Sequence, residues 1–336
     1  MEVTTIMMSM SERSIHRARL LKSVLCVGLD PQLEMMPPHL VDHFLHNRPR
    51  NDWRAIADLF VAFNKAIIDA VYEYAAWVKP NIAFYECYGS EGLRAYEATI
   101  AYAKTKDLLV ICDGKRGDGS DTAQAYAQGH MGYVPVWDEA TNAYTKTEGP
   151  LHVDALTVET TIGDAGVNAY IHTAKESGSA VIIVTKSSFK PNSPIEQFET
   201  RRGTKIWEEM ATLVDRWGED SRGEHGWSSV WAVVGATFPE EALHARELMP
   251  HTWFLVPGYG AQGGGADEAV VAADHNGFGI AVSSSRGIIY AQRSGIFAGS
   301  SEQFSTCAAH AAQYARDSLN AALESAGKGK GTFWNT

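Results

Sequence analysis

The chain reads as an α/β protein built as a single (β/α)8 TIM barrel with loop insertions. Two observations lead there. Eight short apolar runs, rich in β-branched residues, recur along the 336 residues, and each ends in a polar or glycine-rich group. Between them lie stretches with apolar residues at helical spacing, and no break in composition marks a second domain. Continuous apolar runs suit strands covered on both faces of a parallel sheet, because a strand with one wet face alternates. An open doubly wound sheet uses the same units and is the alternative.

In order, the runs are residues 23–30 (SVLCVGLD), 77–84 (WVKPNIAF), 108–113 (LLVICD), 155–159 (ALTVE), 180–186 (AVIIVTK), 230–237 (VWAVVGAT), 253–258 (WFLVPG) and 279–285 (GIAVSSS). The first long helical stretch, residues 53–76, sets Ile56, Leu59, Phe60, Phe63, Ile67 and Val71 on one stripe. Residues 122–128, 206–217 and 239–248 have the same character, the last with Pro239 in its first turn, where a missing N–H costs nothing. Residues 302–326 close the chain as a helix. The barrel domain therefore spans 23–326, after an N-terminal extension at 1–22 and before a frayed tail at 327–336. The segments near 31–52, 129–153, 187–205 and 218–229 are long for barrel connections and read as insertions.

Composition narrows the partners. The net charge of −11 speaks against nucleic acid, which needs a basic face, but leaves room for a small anion held by a few local cations. No apolar run approaches the roughly 18 residues of a membrane span, and no apolar block follows a basic start, so neither membrane insertion nor secretion is expected. Cys26, Cys87, Cys112 and Cys307 lie far apart without metal-like spacing, which fits core thiols in a reducing, cytoplasmic setting.

Barrels of this kind carry their chemistry where strands end. Those ends present Asp30, Lys79, Asp113, Lys115, Asp118, Ser188, Gln262 and Arg286. The densest group is DGKRGD at 113–118, directly after LLVIC. As a short motif it matches charged loops by chance. Its functional reading is an alternating array in which Asp113 and Asp118 favour the charged form of Lys115. Such a lysine suits a general acid and makes a poor Schiff-base nucleophile. Taken singly, Lys79 before Pro80 is more often a surface charge, and Asp30 before Pro31 more often a helix N-cap.

The loop PGYGAQGGG, beginning at Pro257, contains a formal G-x-G-x-x-G at 258–263. A dinucleotide site is disfavoured, because the match comes late in the chain and the next strand ends in SSSR with no acid for a ribose. Loops after the seventh and eighth strands are instead the usual phosphate site of barrels, and Arg286 adds a bidentate donor. A phosphorylated small molecule is the expected ligand.

Seven motifs in register on consecutive strands resemble the orotidine 5′-monophosphate decarboxylase family, in its longer prokaryotic subgroup, over residues 23 to 291. They are GLD (28–30), VKPNIAFYE (78–86), DGKRGD with Thr122, DALTV (154–158), TKSS (185–188), PGYGAQGG (257–264) and SSSRGIIYA (283–291). The resemblance implies decarboxylation of orotidine 5′-monophosphate to UMP in de novo pyrimidine biosynthesis, with no metal and no organic cofactor. It implies that Lys115 protonates C6, that Asp113 sits beside the substrate carboxylate, and that Lys79 orients the array. Asp30 would bind ribose hydroxyls, Ser188 the pyrimidine, and Gln262 and Arg286 the phosphate. Asp118 and Thr122 would reach a neighbour's site, making a homodimer with shared active sites.

This chain departs from the family pattern where an isoleucine usually follows the second aspartate, since Gly119 stands there, followed by Ser120 and Asp121. Two other functions remain open. Relatives that cleave or condense sugar phosphates with Mg²⁺ share the charge motif, and Asp30 and Asp113 could serve an ion. A catalytically silent phosphate-binding barrel would need only the 257–265 loop and Arg286.

Overall fold

The computed structural model describes residues 8–260 and 263–329. In chain order the strands are β1 (Leu25–Gly28), β2 (Trp77–Lys79), β3 (Leu109–Arg116), β4 (Tyr133–Asp138), β5 (Ala143–Glu148), β6 (Ala155–Val158), β7 (Ala180–Lys186), β8 (Val230–Val234), β9 (Phe254–Val256) and β10 (Ile280–Ser284). Eight of them close a ring in the order β1-β10-β9-β8-β7-β6-β3-β2, and every pair in it is parallel. Those eight are the expected runs, so the chain is a (β/α)8 barrel and not an open sheet. The helices are α1 (Met10–Leu21), α2 (Pro38–Leu45), α3 (Trp53–Val71), α4 (Ala83–Glu86), α5 (Gly89–Lys104), α6 (Ser120–Met131), α7 (Asp164–Ser177), α8 (Pro194–Gln197), α9 (Ile206–Gly218), α10 (Pro239–Leu248), α11 (Ala266–Val270), α12 (Arg286–Ile289) and α13 (Phe304–Ser325).

Each strand divides its continuous apolar run between two faces, since side chains alternate along it. Val27, Val78, Val110, Leu156, Ile183 and Val282 belong to the core between ring and helices. Cys26, Trp77, Ile111, Ile182, Trp231, Leu255 and Ala281 belong to a separate core inside the ring. Around it, α3 packs on α5 and α13. Phe63 of α3 stacks at 5.5 Å on Tyr290 and 5.4 Å on Phe304.

Three segments differ from expectation, each for a visible reason. The run 77–84 is regular strand only to Lys79, because Pro80 has no N–H for the ladder; one further bridge joins Asn81 to Asp113 before the chain turns into α4. The third strand runs on to Arg116 across a register shift after Cys112, which keeps Asp113 and Lys115 on the barrel rather than in a free loop. The insertion at 129–153 contains an antiparallel hairpin, β4–β5, outside the ring.

The floor of the barrel is α1, within the stretch read as an extension. Its Met10, Ile15 and Ala18 pack against Trp77, Trp227, Trp231 and Trp253. Ser14 Oγ accepts from Trp77 Nε1 at 3.1 Å, and Ser11 Oγ accepts from Trp231 Nε1 at 2.9 Å while donating to the Ser228 carbonyl at 2.6 Å. Arg13 pairs with Asp154 at the base of β6, and Glu12 with His225 ahead of β8. The expected tail at 327–336 lies beyond the described residues from 330 onward. Its first residues are tied down, as the Lys328 ammonium donates to the carbonyls of Val270, Val271 and Ala273.

Ser14→Ala leaves a buried indole N–H without its acceptor. It is expected to cost about 1–3 kcal/mol in denaturant unfolding and to alter the near-ultraviolet circular dichroism of the tryptophan cluster. Unchanged stability would show that α1 does not hold the floor.

Candidate active site

At the upper end of the ring the inward positions turn polar. The same parity that buries Trp77 and Ile111 continues to Lys79 and Asp113, and that of Ala155 continues to Thr157 and Glu159. Lys79, Asp113, Thr157 and Glu159 line one cavity of about 730 Å³, together with Asp30, Lys115, Ser188, Pro257, Ser283 and Arg286.

Asp113 is its centre. Oδ2 accepts from Lys79 Nζ at 2.8 Å and Oδ1 from Lys115 Nζ at 2.5 Å. The Asn81 amide adds a 3.4 Å contact to Oδ2, and the Thr157 hydroxyl donates to Oδ1 at 3.2 Å. Burial opposes the Asp113 charge, but Lys79 and Lys115 overcome it and hold the carboxyl well below its usual range. Burial also works against the Lys79 ammonium, and Asp113 with Asp30 more than compensate, raising it above an ordinary lysine. Lys79 is 7% exposed, so it is no surface charge.

Lys115 has a half-exposed side chain and a φ of 43°, in the left-handed region where a residue with a Cβ is strained. Thr157 supports that backbone, its Oγ1 accepting from Gly114 N at 3.0 Å and Lys115 N at 2.9 Å. Asp30 does not act as a helix cap. Its Oδ1 accepts from Asn81 N at 3.2 Å, and Tyr290, whose hydroxyl accepts from Gln32 N at 2.7 Å, braces the segment that follows.

The opposite wall carries Pro257, Gly258, Tyr259 and Arg286, the last opening α12. Gln262 lies outside the described residues. Ser188 stands where β7 leaves the ring, and Gly235 makes room for it, since a Cβ at 235 would come within 2.6 Å of the Ser188 backbone. Asp118 and Thr122 are exposed at the rim and do not line their own chain's cavity. At Gly119 a Cβ would meet nothing within 4 Å, so nothing in this chain demands glycine there.

Four contributors escaped the sequence reading. Thr157 and Glu159 sit two and four positions beyond Ala155, and inward parity would have found them. Asn81 follows the lysine–proline pair. Glu196 comes from the 187–205 segment, where no period places it. Burial raises the Glu159 carboxyl, against Lys115 and with help from Glu196. Among the described residues no three His, Cys, Asp or Glu side chains form a metal cage.

The model of the family described as orotidine 5′-phosphate decarboxylase / HUMPS matches residues 23–294. An orotidine 5′-phosphate decarboxylase of Caldicellulosiruptor saccharolyticus is 32% identical over 94% of this chain and 100% of its own. One from Rhodopirellula baltica is 36% identical over 81% of this chain and 85% of its own. The solved structure of Leishmania donovani OMP decarboxylase superposes with a TM-score of 0.66 at 26% identity, covering 94% of this chain and 98% of that one.

Removing Asp113 leaves the buried Lys79 with Asp30 alone. Asp113→Ala is expected to cost about 3–5 kcal/mol at pH 7. A carboxyl lowered in the folded state stabilises above its unfolded pKa and loses that effect as pH falls toward the folded value. The gap between wild type and variant should therefore close as pH drops below ~4, read from urea melts across pH. A gap independent of pH would mean that the array contributes no linkage.

Proposed function

The chain belongs to the orotidine 5′-phosphate decarboxylase / HUMPS family, and from that premise we propose that it converts orotidine 5′-monophosphate to UMP and CO₂ with its own side chains alone. The observation that carries the reading is the Lys79–Asp113–Lys115 array, with its carboxylate held at 2.8 and 2.5 Å between two ammonium groups.

When the bond from C6 to the carboxylate breaks, the electron pair stays on C6, where no neighbouring carbonyl can take it up. Lys115, bound at the rim of the array, is the cation aimed at that charge and the donor of the proton that quenches it. Its geometry is set beforehand by Asp113 and by Thr157, so little reorganisation is needed as charge develops. Asp113 faces the departing carboxylate, and Lys79 keeps Asp113 ionised and fixed. Asp30 binds ribose hydroxyls and Ser188 the pyrimidine. Arg286, the 257–260 turn and Gln262 take the phosphate, whose binding far from C6 supplies energy for closing the site.

The Mg²⁺-dependent alternative is less well supported. Asp30 already accepts from Asn81 N, and Asp113 is saturated by two ammonium groups, which occupy the directions a cation would need. A silent phosphate-binding barrel would have no use for a buried array of this kind, which is costly to assemble.

The exposed rim positions of Asp118 and Thr122 support a homodimer in which each chain completes its partner's site. Among the described residues no helix is long and apolar enough to cross a membrane. The acidic balance of the chain supports an enzyme that does not bind nucleic acid, and its place in this reading is the cytoplasm.

Purified protein should deplete the ultraviolet absorbance of orotidine 5′-monophosphate equally with and without EDTA, and Lys115→Ala should lower kcat by on the order of 10³-fold or more. No turnover by folded protein would overturn the reading. Mixing inactive Lys115→Ala and Asp118→Ala chains should restore roughly a quarter of the sites, since only mixed dimers carry one intact site each. No recovery on mixing would argue against shared sites.

A further inference from the structure

Lys186, the last residue of β7, takes no part in the array, yet it is 1% exposed. A lysine so buried needs charge compensation, and here the partners come from two separate bodies. Asn192 Oδ1 at 2.9 Å and Glu196 Oε2 at 3.1 Å belong to the 187–205 segment. Glu241 Oε2 at 3.2 Å and the Phe238 ring, 4.5 Å from Nζ, belong to the start of α10 on the barrel wall. The second oxygen of Glu196 accepts from Ser187 N at 2.9 Å, and Gln197 Nε2 donates to Glu241 Oε1 at 2.9 Å. Lys205 Nζ lies 3.8 Å from the same Glu241 oxygen.

The segment held in this way is a wall of the cavity, contributing Ser187, Ser188, Phe189, Ser193 and Glu196. Its large apolar side chains, Phe189, Ile195 and Phe198, are all exposed, so apolar packing does little to hold it. Polar contacts through Ser187, Asn192, Glu196, Gln197 and Lys205 carry the attachment.

We propose that Lys186 is the positioning residue of this wall, clamping the 187–205 segment to the barrel so that Ser188 faces the substrate and the Glu196 charge is spent on the clamp. The second effect matters because the cavity is meant for an anion. With the ammonium gone, Glu196 would confront the substrate as an unneutralised carboxylate, and two carboxylates would be left facing each other across the joint. The inference rests on the nucleotide reading of the cavity. Its signature is weaker binding with nearly normal chemistry, since Lys186 touches none of the reacting atoms.

The test compares wild type with Lys186→Met and with the double variant Lys186→Met/Glu241→Gln, which also removes the α10 carboxylate that Lys186 neutralises and so keeps the test decisive should the single variant fail to fold. Steady-state kinetics are paired with limited trypsin digestion without ligand, followed at the exposed Arg201–Arg202 bond by mass spectrometry. KM for orotidine 5′-monophosphate should rise about tenfold or more while kcat changes less than ~3-fold, and cleavage should accelerate by a similar factor. Adding UMP should slow cleavage of the wild type more than that of the variants. Folded variants with wild-type KM and wild-type cleavage would overturn the proposal, as would a loss confined to kcat. Absence of turnover by wild type would instead defeat the functional reading, and the digestion without ligand would still decide the role of Lys186.

Discussion

Everything in this molecule follows from closing a parallel sheet on itself. A closed ring of parallel strands has no wet face, so each strand must bury both sides, and the inward side has only as much room as eight strands enclose. The lower half of that space is filled by Trp77, Trp231 and Trp253, with Trp231 and Trp253 stacked at 5.3 Å. Filling it with indoles has a cost, because an N–H in a dry interior is penalised without an acceptor, as that of Trp253 is. Ser11 and Ser14 of α1 answer it for two of them. The upper half is left for chemistry, and on β2, β3, β6 and β10 the change from apolar to polar occurs over a single step of alternation, from Trp77 to Lys79, Ile111 to Asp113, Ala155 to Thr157 and Ala281 to Ser283.

That boundary explains how an acidic protein can hold an anion. The chain carries a net charge of −11, yet Lys79 and Lys115 at the cavity are each set against a specific oxygen of Asp113. Asp113 is the pivot, since it is the one anion that both Lys79 and Lys115 share. With Lys79 buried and Asp113 nearly so, their contact is stronger than it would be on the surface, while Lys115 keeps its outer side open to solvent. Lys115 is held under backbone strain by a neighbour's hydroxyl, so its orientation is paid for by folding and not by the substrate.

The ring was legible because buried parallel strands announce themselves as uninterrupted apolar runs, and the array because its charges follow those runs directly. Lys79, Asp113 and Lys115 could be placed from order alone, since a strand's end is also the mouth of the barrel. What stayed hidden depends on contacts distant in sequence. Nothing local to MSERSIHRARLL marks it as a floor, because the serines that matter meet tryptophans 63 and 220 positions away. Glu196 and Glu241 look like ordinary surface acids until the fold brings Lys186 between them. The β4–β5 hairpin was missed because its strands are short and largely exposed, which leaves little apolar pattern to read.

The hairpin also bears on how such a barrel can vary. It leaves α6 at Tyr133 and returns at Glu148, and these two residues face each other across the ladder. Entry and exit are thus neighbours, and the excursion is a side branch that the ring neither sees nor needs for closure. A branch of this topology can be lengthened, shortened or replaced over generations while the strand order on either side stays constant. The same geometry makes its tip a natural point for grafting a foreign peptide or a label without disturbing the catalytic end.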